Sequence, residues 1–254
     1  MSTDLQSIGF GTSDWRETIE AAIATYRLSV IGEVRDGQLV RYDDPSGAQL
    51  YILGVEPFST YTGFASSSTI TGHVSPVDDV LSVVDITDDV PSSPNFEKTV
   101  CSLTAHIAQG PMIVEAGTQS FEQVALTGLA LDITTDASAD AYAERTGNRP
   151  GTFNPVGAAP VLRAGGGVPN ACAVISATVS SVDRRANALT GENFYHATIT
   201  AGPVPMDFCV STDDVPTLEP GMVVSGTVQM VGEIIPPAGC GDGCGCGSGG
   251  CGCG

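Results

Sequence analysis

Short runs of alternating apolar and polar residues, separated by turn residues, recur through most of this sequence. Such alternation puts apolar side chains on one face of a β-strand, so it restricts the chain to a fold built mainly from strands. The clearest hairpin signal is the Asp36-Gly37 pair, which separates the runs at 28–34 and 38–42. Further strands are predicted at residues 48–53, 69–74, 80–86, 99–107, 124–133, 172–182, 194–200, 205–210 and 222–235. The predicted fold class is α+β, mostly β, with antiparallel sheets.

One helix is predicted close to the N-terminus, ahead of these strands. Asp14 and Glu17 have the spacing of a helix N-cap and the third residue of the helix. Apolar residues then recur at helical spacing and form one stripe: Trp15, Ile19, Ala22, Ile23 and Tyr26. A short apolar segment at residues 7–10 precedes the helix and predicts a first strand. The expected order of the N-terminal unit is therefore βαβββ.

The turn Asp44-Pro45-Ser46-Gly47 leads directly into the strand that ends at Leu53. With the βαβββ order, this segment resembles half of a vicinal-oxygen-chelate module. That glyoxalase-like family places a D-P-x-G turn before a strand that lines its cavity. The resemblance covers about the first 55 residues. It implies metal ligands at a His on the first strand and a Glu on the last, but residues 7–10 contain no His, so no site residue is transferred.

Residues 136–170 interrupt the strand pattern and predict a linker or long loop. They contain several turn residues, including Pro150-Gly151, Asn154-Pro155 and the glycines at 165–167. The domains expected from this break are an α+β N-terminal domain at residues 1–135, the linker at 136–170, a β domain at 171–237 and a flexible Gly/Cys-rich tail at 238–254. Strands joined by short turns are typical of a small barrel, so an OB-like barrel is predicted for the second domain.

The pentapeptide Thr-Asp-Asp-Val-Pro occurs twice, at residues 87–91 and 212–216, each time after an apolar strand. It has two explanations, a duplicated β unit or the repeated use of one good turn.

The charge of the chain restricts its partners. The sequence has 29 acidic and 10 basic residues, a formal net charge of −19, and Lys98 is its single lysine. Nucleic acids and anionic membrane surfaces need clustered basic residues, so neither is expected as a partner. The N-terminus lacks the basic and apolar regions of a secretory signal, and no apolar run is long enough to span a membrane. A cytoplasmic location is expected, where clustered thiols stay reduced.

The C-terminal tail holds five of the eight cysteines, and only Gly, Asp and Ser separate them. Such a segment has nothing to contribute to a hydrophobic core, so its thiols predict metal ligation, redox chemistry or modification. The candidate metal ligands are Cys240, Cys244, Cys246, Cys251 and Cys253. Thiolates suit zinc and copper(I), and the C-x-C repeats resemble those of metallothioneins and of the Cys-rich tails of nickel- and zinc-handling chaperones. The resemblance implies storage, delivery or sensing of a soft metal, with a metal-accepting apo-protein as partner.

The rest of the chain shows no established catalytic motif. Neither G-x-S-x-G nor a phosphate-binding loop occurs, and His73, His106 and His196 stand far apart. Cysteines 101, 172 and 209 lie among apolar neighbours and are predicted in the core. The aspartate pairs at 43–44, 78–79, 88–89 and 213–214 are predicted to be solvated turn residues. The sequence predicts a non-enzymatic metal-binding protein. The alternative is a β-rich module that binds a protein or a small ligand, with an incidental tail.

Overall fold

The computed structural model describes residues 3–11, 14–162 and 167–236. The α-helices within these residues are α1 (Asp4–Ser7), α2 (Trp15–Ala24), α3 (Gly110–Ile113), α4 (Ala139–Thr146) and α5 (Ala159–Leu162), and a 3₁₀ helix spans Val156–Ala158. The strands are β1 (Leu28–Val34), β2 (Gly37–Asp43), β3 (Ala48–Leu53), β4 (Ser59–Phe64), β5 (Thr69–Pro76), β6 (Leu81–Thr87), β7 (Thr99–Ile107), β8 (Gln119–Asp136), β9 (Thr152–Asn154), β10 (Cys172–Ala186), β11 (Asn193–Ala201), β12 (Val204–Ser211) and β13 (Val223–Ile235). The described chain is thus mostly β, as the alternation predicts.

The first four strands form a sheet of their own, in the order β1-β2-β3-β4, and every neighbouring pair is antiparallel. The predicted hairpin between β1 and β2 is confirmed. Its turn consists of Arg35 and Asp36, and Gly37 already pairs with Val34. Arg35 has a φ of 52°, a left-handed conformation that the tight turn imposes on a side-chain-bearing residue.

The second sheet has nine strands in the order β11-β12-β8-β5-β6-β7-β13-β10-β9, with further pairings between β8 and β13 and between β10 and β11. Most neighbours are antiparallel, but β12 with β8 and β13 with β7 are parallel, so the sheet is mixed. The longest ladder joins β8 to β13, from the Gln123–Ile235 pair to the Asp136–Val223 pair. Strands from both sides of residues 136–170 therefore pair within one sheet.

The predicted first strand at residues 7–10 is wrong. The chain forms helix α1 as far as Ser7, because Thr3 caps the helix and Gln6 returns the bond to complete a capping box, and a turn follows at residues 8–9. No residue from 7 to 10 belongs to a strand. Leu5, Ile8 and Phe10 are nevertheless buried, which explains the apolar signal. The finer predictions, a βαβββ unit and an OB-like barrel, are not confirmed by these pairings.

Helix α2 begins where the sequence predicts it, with Asp14 as its N-cap. Its apolar stripe is only partly used for packing. Ala22 is buried and Trp15 packs against the core, whereas Ile23 is half exposed and Tyr26 is 95% exposed. Helix α2 therefore packs on the core along one narrow edge.

The repeated pentapeptide sits in two different strand environments. The first copy follows β6, and β6 pairs with the next strand, β7. The second copy follows β12, which pairs with β11 and β8 and not with the next strand, β13. These environments favour repeated use of one turn over a duplicated unit.

A buried aspartate joins the two sheets. Asp44 lies in the turn between β2 and β3 and is only 5% exposed. Its carboxylate accepts bonds from the Ser46 amide at 2.9 Å and the Ser46 hydroxyl at 2.6 Å, within its own turn. It also accepts bonds from the backbone amides of Ala188, at 3.0 Å, and Leu189, at 3.2 Å, in the turn between β10 and β11. The prediction of a solvated turn residue is therefore wrong for Asp44.

We expect Asp44→Ala to destabilise the protein by about 3 kcal/mol, because it leaves the buried amide and hydroxyl of Ser46 and the buried hydroxyl of Tyr42 without this acceptor. Urea unfolding followed by circular dichroism measures the loss. Asp214→Ala is the matched control, because Asp214 is exposed and its carboxylate makes no hydrogen bond with the described residues. An Asp44→Ala protein as stable as this control would contradict the role given to Asp44.

Candidate functional site

The five predicted metal ligands, Cys240, Cys244, Cys246, Cys251 and Cys253, lie outside the described residues. Within the described ranges, no group of three or more His, Cys, Asp or Glu side chains is arranged to hold a metal ion. None of the helices there is long and apolar enough to cross a membrane.

The three cysteines of the body, by which we mean the chain before the Gly/Cys-rich tail, are free thiols in or near the core. Cys209 is fully buried, and Cys101 and Cys172 are half-buried. Burial raises the pKa of all three thiols, and nearby aspartates add to this effect at Cys101 and Cys209. Because the thiolate is the form that binds metals and attacks electrophiles, these cysteines are poorly suited to either role. The prediction of a core position is confirmed for Cys209.

The three histidines lie in separate places. His73 packs its ring edge-to-face on Phe121, with 4.5 Å between ring centroids, and its Nδ1 accepts the Phe121 amide at 3.3 Å. His196 is buried beside Asp207, and His106 is half-buried on β7. The last two belong to polar clusters that the sequence did not predict.

The first cluster surrounds the carboxylate of Asp207, which is fully buried on β12. The Nε2 atom of His196 lies 2.8 Å from its Oδ2, and the hydroxyl of Ser68 donates to its Oδ1 at 2.6 Å. The Ser67 amide donates to Oδ2 at 2.9 Å. Asp207 thereby fixes the segment between β4 and β5 to the β11–β12 hairpin.

This cluster has the residue types of a nucleophilic triad, but its hydrogen bonds do not run from serine to histidine to aspartate. Both serine hydroxyls donate to Asp207, and His196 also points its Nε2 at that carboxylate. A serine nucleophile needs the histidine as its direct base, with the carboxylate behind the histidine. The second ring nitrogen of His196 is buried without a hydrogen-bond partner among the described residues, and Asp183 Oδ2 lies 4.0 Å from it. The cluster therefore has the geometry of a structural contact between strands and lacks the geometry of acyl transfer.

The second cluster lines a cleft of about 590 Å³ between the first sheet and strands β6 and β7. We call it the His106 cleft. Its lining consists of Arg35, Pro57, Ser59, Asp78, Asp79, Val80, Leu81, His106, Val114, Pro169 and Asn170. The volume lies within the range of about 300–1,000 Å³ that is usual for small-molecule sites. The lining combines aliphatic side chains with five polar residue types, as binding clefts commonly do.

One wall of the cleft is held by an ion pair between the two sheets. Arg35, at the tip of the β1–β2 hairpin, donates from both terminal nitrogens to Asp79, at 3.3 and 3.0 Å. The carbonyl of Asp79 in turn touches helix α3, where a Cβ at Gly110 would lie 2.5 Å from that oxygen. Next to it, Asp78 uses Oδ1 to accept the amides of Val80 and Leu81, at 2.8 and 2.7 Å. These bonds fix both aspartates of the turn.

A chain of hydrogen bonds sets the tautomer of His106. Thr62 donates to Asp4 Oδ2 at 2.8 Å, and the side-chain amide of Gln229 donates to the same oxygen at 3.2 Å. The carboxylate can only accept, so it orients the Gln229 amide nitrogen, which lies 3.4 Å from His106 Nδ1. His106 Nδ1 is then the acceptor, and Nε2 carries the proton. Burial lowers the pKa of His106, although Asp4 and Asp78 raise it to a smaller extent, so the ring is neutral near pH 7.

Comparison of the chain with protein-family models, curated proteins and solved structures finds no significant match in any of the three. The resemblance to a glyoxalase-like module therefore stays a prediction, and the site must be interpreted from its own geometry.

Sequence reasoning missed both clusters. Asp78 and Asp79 have the pattern of a solvated turn, and Arg35, the partner of Asp79, lies 44 residues away. The closest signal was the charged pair Arg35-Asp36 in the turn of the β1–β2 hairpin. For Asp207 the only local signal was a charge inside an apolar strand, which predicts a buried partner without identifying it.

We expect stability to fall in acid through Asp207. Burial alone would raise its pKa, but hydrogen bonds from His196, Ser68 and Ser67 outweigh this effect and lower the pKa from 3.8 to about 2. The carboxylate therefore stabilises the fold above about pH 4, and this contribution, about 2 kcal/mol, is lost as the pH falls to about 2. Urea unfolding between pH 6 and pH 2 should show a shallower acid slope for Asp207→Asn than for the wild type. Asp214→Asn should keep the wild-type slope, and equal slopes for all three proteins would refute the assignment.

Proposed function

We propose that the chain binds a soft metal ion, zinc, copper(I) or nickel, through the thiols of Cys240, Cys244, Cys246, Cys251 and Cys253. The observation that carries the proposal is their setting in the sequence, because Gly, Asp and Ser alone separate them. Four thiolates suffice for a tetrahedral zinc site, and glycine lets a short backbone wrap around an ion. Ordering each residue costs about 1–2 kcal/mol, whereas a structural zinc site returns about 10–16 kcal/mol.

The thiols of the body support this assignment by contrast. Burial raises the pKa of Cys101, Cys172 and Cys209, so these three are poor ligands at neutral pH. Only Pro236 and Pro237 separate the tail from β13, which ends at Ile235. The body would then act as a carrier for the metal-binding segment in storage, delivery or sensing, and a metal-accepting apo-protein is the expected partner.

We expect the full-length chain, purified under reducing conditions and loaded with zinc or copper(I), to retain about one ion per chain after desalting. Replacing all five tail cysteines with serine should abolish retention without changing the unfolding midpoint of the body. The matched control replaces Cys101 and Cys172 with serine and should retain the metal. Elemental analysis measures the ratio of metal to protein, and equal metal in the wild-type and five-serine proteins would exclude the proposal.

A second candidate function is favoured by the His106 cleft. Its volume and its mixture of polar and aliphatic lining fit a module that binds a small ligand. This function does not need the tail, so the two candidates are independent and compatible within one chain.

A further inference from the structure

The polar residues of the His106 cleft are only partly used by the fold. Five of them each keep one polar atom that makes no hydrogen bond with the described residues. These atoms are Arg35 Nε, Ser59 Oγ, Asp78 Oδ2, His106 Nε2 and Asn170 Nδ2. Polar groups that are oriented by the fold but left unpaired in a cleft are available for a ligand.

The bonds that the fold does make decide whether each free atom donates or accepts. Asn170 uses Oδ1 to accept the Cys172 amide at 2.9 Å, so its NH₂ group is the free donor. The neutral His106 ring carries its proton on Nε2, because its Nδ1 faces the Gln229 amide nitrogen that Asp4 orients. Arg35 Nε can only donate. The cleft therefore presents three fixed donors, and Ser59 adds a hydroxyl that can donate or accept.

Asp78 supplies the opposite feature. Its Oδ1 is occupied by two backbone amides, and its Oδ2 is free to accept. The charges of Arg35 and Asp79 cancel in their ion pair, and His106 is neutral near pH 7. The cleft therefore keeps one uncompensated negative charge, on Asp78, which favours a cationic donor such as an ammonium group.

We infer that the His106 cleft binds a small compound that carries a primary ammonium group beside a carbonyl oxygen, as in an amino acid, an amino-acid amide or a peptide N-terminus. Asp78 receives the ammonium group, and the donors of Arg35, His106 and Asn170 receive the oxygen. Val80, Leu81 and Val114 offer an aliphatic wall for the side chain of the ligand. The inference rests on the second candidate function and does not involve the tail.

Isothermal titration of the reduced full-length chain with L-leucinamide, in the presence of EDTA, tests this assignment. We expect saturable binding that weakens about tenfold or more for N-acetyl-L-leucinamide, which lacks the ammonium group, and by a similar factor for Asp78→Asn. Asn keeps an Oδ1 acceptor for the Val80 and Leu81 amides, so this substitution removes the charge but not the turn. Asp214→Asn removes the same charge from a turn outside the cleft and should bind as the wild type does.

Two further titrations identify the source of the ligand and test whether it binds in the cleft. Tighter binding of L-leucine than of leucyl-glycine identifies a free amino acid as the source, and the reverse identifies a peptide N-terminus. Val114→Trp, which fills the cleft from its aliphatic wall, should abolish binding while its circular dichroism spectrum stays unchanged.

Two results would overturn the inference. One is a wild-type chain that shows no saturable binding of L-leucinamide, or one that binds it no better than Asp78→Asn does. The other is equal binding of the amide and its acetylated form. If Val114→Trp abolishes that equal binding, the cleft still binds ligands and the second candidate function survives without the ammonium assignment. Metal content is measured separately, so none of these results bears on the tail.

Discussion

The ladder between β8 and β13 is the interaction on which the rest of the structure depends. It runs from the Gln123–Ile235 pair to the Asp136–Val223 pair and lies between two groups of strands. Strands β5 and β12 pair with the opposite edge of β8, and β7 and β10 pair with the opposite edge of β13. The two strands approach so closely at Gly226 that only glycine fits there. Its φ is 141°, and a Cβ would collide with the carbonyl oxygen of Asp132.

The sequence predicts the strands better than their arrangement. Alternation depends only on neighbouring residues, so it locates β7 at its observed bounds and β13 to within one residue. It misses β4, because Ser59–Phe64 carries only two large apolar residues, although four of its six residues are buried. It also assigns a strand at residues 7–10, where α1 ends and a turn follows. Which strands become neighbours depends on distant parts of the chain, and no local pattern in the sequence encodes this.

The aspartates show why the candidate sites escaped prediction. Asp44 and Asp79 lie in ordinary turns, and nothing in their immediate sequence distinguishes them from solvated acids. Asp207 has one local signal, its charge within the apolar strand β12, which does not identify a partner. Each of the three has a remote partner: Ser67 is 140 residues from Asp207, Ala188 is 144 residues from Asp44, and Arg35 is 44 residues from Asp79. A carboxylate becomes buried and useful only where folding supplies donors, and those donors are mostly backbone amides that every residue possesses. The tail cysteines differ, because their chemistry follows from composition alone.

The position of β13 has a consequence for the way the protein is made. The strands that it joins, β7, β8 and β10, all precede it in the chain, and its partners on β8 lie roughly a hundred residues upstream. A ribosome therefore releases β8 long before the strand that covers its other edge has been synthesised. For that interval the nascent chain carries an apolar strand with one edge of unpaired backbone N–H and C=O groups, and such edges attract other chains. We expect the yield of folded protein in the cell to depend on how well this strand edge is shielded from other chains until β13 has been made.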